Sequence, residues 1–377
     1  MTALDYEYLS LAARLALRGH GGAEPNPLVG CVIVSPDDGG TIVGWGYHAR
    51  CGGPHAEINA LERAGERAAG TTVYVTLEPC NHEGRTGPCT EALIRACVKR
   101  VVIAREDPNP LAAGGIARLR DAGIEVERVH CDSAIAVSDP FVHRLTTGLP
   151  WLIVKWAQSI DGKVATRSGE SQWISSPASR LLVHRERARV DAILTGIGTV
   201  LSDDPLLTAR RCGRVRRIAR RIVIDTQLET PPQSRLVASA REVPLTITCD
   251  QAELESPRAA ALTAAGAELL GFPSDGGFLN LTAVLRDLAI RHTLTNILVE
   301  AGPGLMSALM RAHLVNEAWV FIAPFVMGDD RAVSCLTGAI IDRLSDASRM
   351  KLVDYRRKGD DMMLRFRAIN AGHTLRA

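Results

Sequence analysis

Thr71-Thr-Val-Tyr-Val-Thr-Leu-Glu-Pro-Cys-Asn-His-Glu-Gly-Arg-Thr-Gly-Pro-Cys89 is the stretch on which the fold turns. Its first seven residues are β-branched or apolar and read as a buried strand, Thr71–Leu77. Glu78-Pro-Cys80 closes that strand, since proline cannot donate to a ladder. A polar loop of Asn81, His82, Glu83, Gly84 and Arg85 follows, and Cys89 opens a helical run to Cys97. Upstream, Gly52-Gly-Pro54 leads into His55-Ala-Glu57, at the start of a helix predicted over His55–Arg67. One imidazole (His55) and two thiols (Cys80, Cys89) thus lie at the ends of regular elements. That donor set is a common catalytic zinc site, with the fourth tetrahedral position left for water. Zinc held this way lowers the pKa of its water to about 7. Glu57 can reach the same place without being a ligand, and suits a proton shuttle from water to a leaving amine. His82 is a competing ligand or a substrate contact.

Outward from this stretch, strand-like and helix-like runs alternate, which favours an α/β class with largely parallel pairing. A helix is expected over 6–18, with strands at Leu28–Val34, Thr41–Gly46, Arg100–Ala104 and Ile124–Val129 and a helix at Ile116–Ala122. A turn-rich passage, Asp139-Pro140 to Pro150, marks the domain boundary, giving domains 1–147 and 148–377. The second part reads as strands at Trp151–Ala157, Ala192–Thr195, Ile222–Ile224, Asn296–Glu300, Trp319–Ala323 and Met362–Ala368. Helices are expected at Pro177–Arg189 and Leu279–Arg291, with another opening at Gly302-Pro-Gly304. The arginine-rich segment 210–221 reads as a solvated loop.

The chain has 377 residues and a formal net charge of +2, so bulk electrostatics give no case for a nucleic-acid partner. Aromatic residues are only 4%, which argues against stacking platforms for single strands. No apolar run is long enough to span a bilayer, and the acidic N-terminus does not resemble a signal peptide. A soluble, cytoplasmic protein is expected. There are nine cysteines, an odd count with irregular spacing. In a reducing compartment a cluster among them binds metal or reacts, and the others are small buried hydrophobes. Cys31, Cys97, Cys131, Cys212, Cys249 and Cys335 are assigned to that second group.

The order His-x-Glu, then Pro-Cys, then Cys resembles the zinc deaminases, but with eight residues between the cysteines rather than two. Together Pro25-Asn-Pro-Leu-Val-Gly-Cys-Val-Ile-Val34, Pro54-His-Ala-Glu57, the stretch Thr76–Cys89 and Asp107-Pro-Asn-Pro110 resemble the riboflavin-biosynthesis bifunctional deaminase–reductase family. The resemblance implies a cytidine-deaminase-like αβα domain with one Zn2+ per chain. It implies hydrolytic deamination of 2,5-diamino-6-ribosylamino-4(3H)-pyrimidinone 5′-phosphate, with His55, Cys80 and Cys89 as ligands and Glu57 catalytic. Asn26 would then position the ring or the ribose, or else be a turn residue between two prolines. His82 and Arg85 would hold the polar end of the substrate. Gly87 stands where the family usually has proline.

The second half has glycine-rich strand ends at Thr195-Gly-Ile-Gly-Thr199 and Glu300-Ala-Gly-Pro-Gly304. They are phosphate cradles or plain helix starts, and neither fits a dinucleotide fingerprint. Lys155–Lys163, Glu170-Ser-Gln-Trp-Ile174, His184-Arg-Glu-Arg187, Asp191–Pro205, Asp225-Thr226 and Val299-Glu300 resemble the reductase half of the same family. That half implies a dihydrofolate-reductase-like fold, NADPH and hydride transfer to C1′ of the ring-opened sugar, giving 5-amino-6-(5-phosphoribitylamino)uracil. By position, Ala157, Trp173, Thr199, Asp203, Thr226 and Gly302 would line the cofactor site. Lys155, Ser171, Arg187, Leu207, Arg210 and Glu300 would contact substrate, with Arg187 and Arg210 gripping its 5′-phosphate. The family likeness suggests a homo-oligomer, dimer or tetramer. Ala301 and Leu149 replace the family's usual Gly and Arg, and a positive φ at residue 301 would cost about 1 kcal/mol. The alternative is a deaminase with a degenerate reductase-like domain.

Overall fold

Alanines at 12, 13 and 16 leave one side of helix α1 (Ala3–Ala16) flat enough to lie directly on a sheet. The computed structural model describes residues 3–37, 39–83, 87–338 and 341–369. The chain divides into two compact units, residues 1–148 and 149–377. In the first, strands β1 (Gly30–Ser35), β2 (Thr41–Tyr47), β3 (Thr72–Val75), β4 (Arg100–Ile103) and β5 (Glu125–Arg128) form one sheet. Their order is β2-β1-β3-β4-β5, with β1 antiparallel to both neighbours and β3, β4 and β5 parallel. Helices α2 (Ala56–Ala64), α3 (Cys89–Arg95) and α4 (Gly115–Asp121) cover one face, where Ala56, Ala60, Leu93 and Leu119 meet Ile33, Val73 and Val101. Helix α1 and the short α5 (Asp132–Ala136) cover the other, against Val32, Tyr74 and Val102. This is the expected αβα unit.

Close approach needs glycine at two strand positions. A Cβ on Gly30 would lie 1.9 Å from the Ala12 carbonyl oxygen, and one on Gly46 would lie 2.2 Å from that of Ala56. The passage read as turns is instead a helix, α6 (Asp139–Thr147). Pro140 sits in its first turn, where no N–H is missed, and Gly148 ends it at φ 72°.

The second unit contains β6 (Trp151–Gln158), β7 (Lys163–Ala165), α7 (Pro177–Arg187), β8 (Ala192–Gly196) and α8 (Ile197–Asp203). Then come β9 (Arg220–Ile224), α9 (Arg235–Ala238), β10 (Leu245–Asp250), α10 (Pro257–Ala264) and β11 (Glu268–Phe272). Two short strands, β12 (Ser274–Asp275) and β13 (Phe278–Leu279), precede α11 (Leu281–Arg291), β14 (Asn296–Val299), α12 (Pro303–Arg311) and β15 (Glu317–Ile322). The unit ends in β16 (Val333–Ser334), β17 (Met350–Lys358) and β18 (Asp361–Ala368). The main sheet has nine strands in the order β11-β10-β9-β8-β14-β6-β15-β18-β17. From β11 to β15 every pairing is parallel, and β18 and β17 add an antiparallel edge. This matches the expected dihydrofolate-reductase-like class. Strand β14 inserts between β6 and β8; the chain leaves β8 outward to β9 but leaves β14 the other way, across β6 to β15, so connections from these two adjacent strands run in opposite directions. A crevice forms at such a switch point, outside the carboxyl ends of the strands.

Candidate functional site

Three segments distant in sequence meet in the first unit. His55 caps α2 in an extended conformation, Cys80 follows β3, and Cys89 is the first residue of α3. His55 Nδ1 lies 3.5 Å from Cys80 Sγ and 3.3 Å from Cys89 Sγ, and all three donor atoms fall within 4.8 Å of one another. A tetrahedral zinc with bonds of about 2.3 Å to sulfur and 2.0–2.1 Å to nitrogen separates its S and N ligands by about 3.5 Å. The residues therefore fit zinc. The Cys89 N–H also points at Cys80 Sγ, 3.4 Å away. The hydrogen bond from the Cys89 thiol holds Cys80 well below the usual thiol range, with His55 and the Cys89 N–H adding to it. The same bond, with burial, pushes Cys89 up, so the pair favours a thiolate at Cys80.

Glu57 is 3% exposed, on the first turn of α2. Burial pushes its carboxyl up to about 7, against the pull of His55. His82 is exposed and stands outside the ligand cluster, which removes it as a competing ligand among the described residues. Arg85 lies outside the described residues. Asn26 is half-buried, with its Nδ2 3.2 Å from His48 Nε2. His48 Nδ1 is 3.0 Å from the Pro54 carbonyl oxygen, and its ring meets that of His55 edge-on at 5.2 Å. Sequence reasoning missed His48. A histidine at the end of a strand carries no signal until the fold sets it against Asn26.

In the second unit three of the expected residues, Glu300, Arg187 and Lys155, interact with one another. Glu300 follows β14, and its N–H donates to the Leu194 carbonyl of β8 at 2.9 Å. Arg187, at the end of α7, grips Glu300 through both carboxylate oxygens at 2.6 and 2.8 Å and donates to the Thr208 carbonyl at 3.2 Å. Burial raises the Glu300 carboxyl, but Arg187 more than reverses this and leaves it below its ordinary value. Lys155, half-buried on β6, is lowered by burial and held up by the Glu300 charge. The expectation that Arg187 offers an open fork to phosphate is thus corrected, because Glu300 fills the fork. Arg210 is exposed, lowered by partial burial and by neighbouring Arg187, Arg235 and Arg211. Leu207 is 3% exposed with φ 48°, its side chain in the core, so it can offer a ligand only its backbone.

Family profiles match both halves. That of the cytidine and deoxycytidylate deaminase zinc-binding region matches residues 3–105, and that of the RibD C-terminal domain matches residues 150–364. The chain is 42% identical over 374 residues to the riboflavin biosynthesis protein RibD of Escherichia coli, covering 96% of this chain and 98% of the relative. Acinetobacter baumannii RibD superposes with a TM-score of 0.80 at 36% identity, over 97% of this chain and 99% of that one. The diaminohydroxyphosphoribosylaminopyrimidine deaminase/5-amino-6-(5-phosphoribosylamino)uracil reductase of Thermotoga maritima superposes at 0.81 and 30% identity, with the same coverage. The chain belongs to the RibD family.

Within this RibD-family chain the NADPH expectation meets a fitting cradle. The Gly302 N–H donates to Thr199 Oγ1 at 3.0 Å, tying the start of α12 to α8. A Cβ built on Gly198 or Gly304 meets nothing within 4 Å, and Thr195 Oγ1 is fully buried without a partner. Ala157 is the last residue but one of β6 and Thr226 lies two residues beyond β9, both at carboxyl ends of parallel strands, and Asp203 ends α8, the helix that follows β8. Ser171 and Trp173 precede α7, and Trp173 is 69% exposed with the Arg180 guanidinium 4.5 Å from its ring. Ala301 is absent from the positive-φ residues, so the strain expected there does not arise, and Leu149 packs on the core. Of the cysteines read as buried, Cys31, Cys131 and Cys249 are, Cys212 and Cys335 are half-buried, and Cys97 is exposed. The arginine-rich segment is only partly solvated. Arg221 is fully buried on the Ser239 and Val243 carbonyls, and Arg220 and Arg217 pair with Glu268 and Asp191.

Proposed function

We propose that the His55, Cys80 and Cys89 cluster with buried Glu57 deaminates 2,5-diamino-6-ribosylamino-4(3H)-pyrimidinone 5′-phosphate, and that the second unit reduces the product with NADPH. The enzyme is a bifunctional member of riboflavin biosynthesis, acting by deamination and then reduction. The observation that carries this reading is the match of the three donor atoms to a tetrahedral zinc set beside a carboxyl raised to about 7.

Bound zinc supplies Lewis acidity and hydroxide at neutral pH. Glu57 does the proton work. As a carboxylate it takes a proton from the attacking water, and as an acid it returns that proton to the departing nitrogen. Ammonia leaves and a carbonyl remains at the ring carbon. Asn26 and His82 hold the substrate, with Arg85 at its polar end. In the second unit bound NADPH would supply the hydride for C1′ of the opened sugar, and the adjoining nitrogen would take a proton. Lys155, beside Glu300, holds that proton, and Arg187 keeps Glu300 in place. Arg210 faces the phosphate, Ser171 and the Leu207 backbone complete the substrate side, and Ala157, Trp173, Thr199, Asp203, Thr226 and Gly302 line the cofactor.

The free cysteines suit a reducing compartment, so we place the enzyme in the cytoplasm, and the family likeness supports a homo-oligomer, dimer or tetramer. No helix among the described residues is long and apolar enough to cross a membrane. The test is a coupled assay with the pyrimidine phosphate, with and without NADPH, alongside metal analysis. One zinc per chain, ammonia release without NADPH and NADPH oxidation after it are expected. Folded, active enzyme lacking zinc overturns the reading, and normal ammonia release without NADPH oxidation leaves a deaminase alone.

A further inference from the structure

Seven of the twelve residues from 210 to 221 are arginine, and no acidic residue stands between Asp204 and Asp225. The fold pairs or buries three of the seven. Arg220 meets Glu268 at 2.9 Å, Arg217 meets Asp191, and Arg221 is fully buried on the Ser239 and Val243 carbonyls. Arg210, Arg211 and Arg214 are exposed, and among the described residues no carboxylate pairs with them. Both ends of this stretch are tied to the end of α7. On one side the Thr208 carbonyl accepts from Arg187 at 3.2 Å, and the Arg210 N–H points at His184 Nδ1, 3.3 Å away. On the other, the Arg216 and Arg217 N–H groups donate to the Ala188 carbonyl at 3.0 and 3.1 Å. Residues 211–215 therefore stand out from the helix end that carries Arg187 and its Glu300 partner. Gly213 has φ 81°, and a Cβ there would meet nothing within 4 Å, so this loop opens to solvent. Glu300 cancels the charge of Arg187, while Arg211 and Arg235 press on Arg210 as like charges.

We propose that Arg211 and Arg214, with Arg210 at their base, form a cationic rim that draws a small phosphate monoester to the second site and takes no part in the hydride step. A rim of one sign beside a cleft raises the local concentration and the on-rate of an opposite charge. It acts over about 10 Å at 0.1 M salt, so its side chains need not touch the bound ligand. The rim is too short for a nucleic-acid strand, because the arginines that continue it, Arg217, Arg220 and Arg221, are already paired or buried. The proposal rests on the reductase reading for the identity of the phosphate, but not for the capture of one.

The test removes the charges and leaves Arg210 in place. In the double variant Arg211→Ser with Arg214→Ser, KM for the deaminated pyrimidine phosphate is expected to rise about threefold or more at low salt, with kcat kept. KM for NADPH, whose cradle lies at the starts of α8 and α12, changes less. Ammonia release by the same chain is unchanged and serves as the control for folding. Near 1 M salt, where charges are screened within about 3 Å, wild type and variant converge. Arg211→Lys with Arg214→Lys keeps the charge without the planar fork, and kcat/KM stays within about twofold of wild type. A serine pair with wild-type KM and salt dependence overturns the proposal, as does a rise confined to NADPH. A lysine pair as impaired as the serine pair shows a direct grip instead of a field, and overturns it too. Should wild type fail to oxidise NADPH with deaminated substrate, the reductase reading fails, and ribose 5-phosphate still decides the capture. Calorimetric titration of the intact chain at low salt should give a Kd about threefold or more weaker in the serine pair, and an equal Kd overturns the proposal.

Discussion

The proton-carrying role proposed for Glu57 depends on burial, because a carboxyl at the surface would stay ionised near neutral pH and could not return a proton. Glu57→Gln keeps the shape and the zinc but loses the proton carrier. Deamination is expected to fall about 10²–10⁴-fold, with zinc content and reduction of deaminated substrate unchanged. Metal analysis and ammonia release decide this, and undiminished deamination removes Glu57 from the mechanism. Glu57 and the three ligands were legible in the sequence because their side-chain types carry the chemistry and proline and glycine mark the element ends. The Arg187–Glu300 pair was legible only as two residues of unknown relation, since 113 positions separate them. Arg187→Lys cannot reproduce the two-pronged grip. NADPH oxidation with deaminated substrate should fall about tenfold or more, and deamination by the same variant should be untouched. Equal loss of both activities would mean a folding defect instead.

Helix α2 is held to strand β2 in a manner that serves the metal ligand His55 at its start. Asn59 and Arg63 of α2, and Arg67 of the 3-10 turn that follows it, donate to the Tyr47, Trp45 and Val43 carbonyls on the free edge of β2 at 3.0, 2.8 and 3.2 Å. Donors spaced by four along the chain thus meet acceptors spaced by two on a strand, and the edge is closed to other strands. Gly46 permits the approach, since any Cβ there would collide with the Ala56 carbonyl beside His55. Gly46→Ala is therefore expected to destabilise the first unit by about 1–3 kcal/mol and to weaken zinc retention, read by urea unfolding and dialysis. An unchanged midpoint would show that the helix yields at no cost. Elements of this kind, alternating or periodic and bounded by glycine or proline, were legible. Strand β17 was not, because it is exposed along most of its length and so lacks the buried–exposed alternation that marks a strand.

Each unit buries a core of its own. Leu9, Val32 and Val102 belong to the first, and Ile193, Val223, Leu298 and Phe321 to the second. The near-zero net charge agrees with a small phosphorylated substrate rather than a polyanion held by a field. Separate cores and a single metal cluster among the described residues predict how the whole chain responds to loss of metal. All three ligands lie in the first unit, at the starts of α2 and α3 and in the loop that follows β3, so zinc binds the folded form of that unit and not its unfolded chain. A ligand present at about 1,000 times its Kd stabilises the folded form by about 4 kcal/mol. Chelation should therefore lower the midpoint of one unfolding transition by many degrees and abolish ammonia release. The second transition and NADPH oxidation with deaminated substrate should stay in place. Differential scanning calorimetry with and without chelator resolves the two, and restored zinc should return the lost transition to its position. If both transitions fall together, the two cores unfold as one cooperative system.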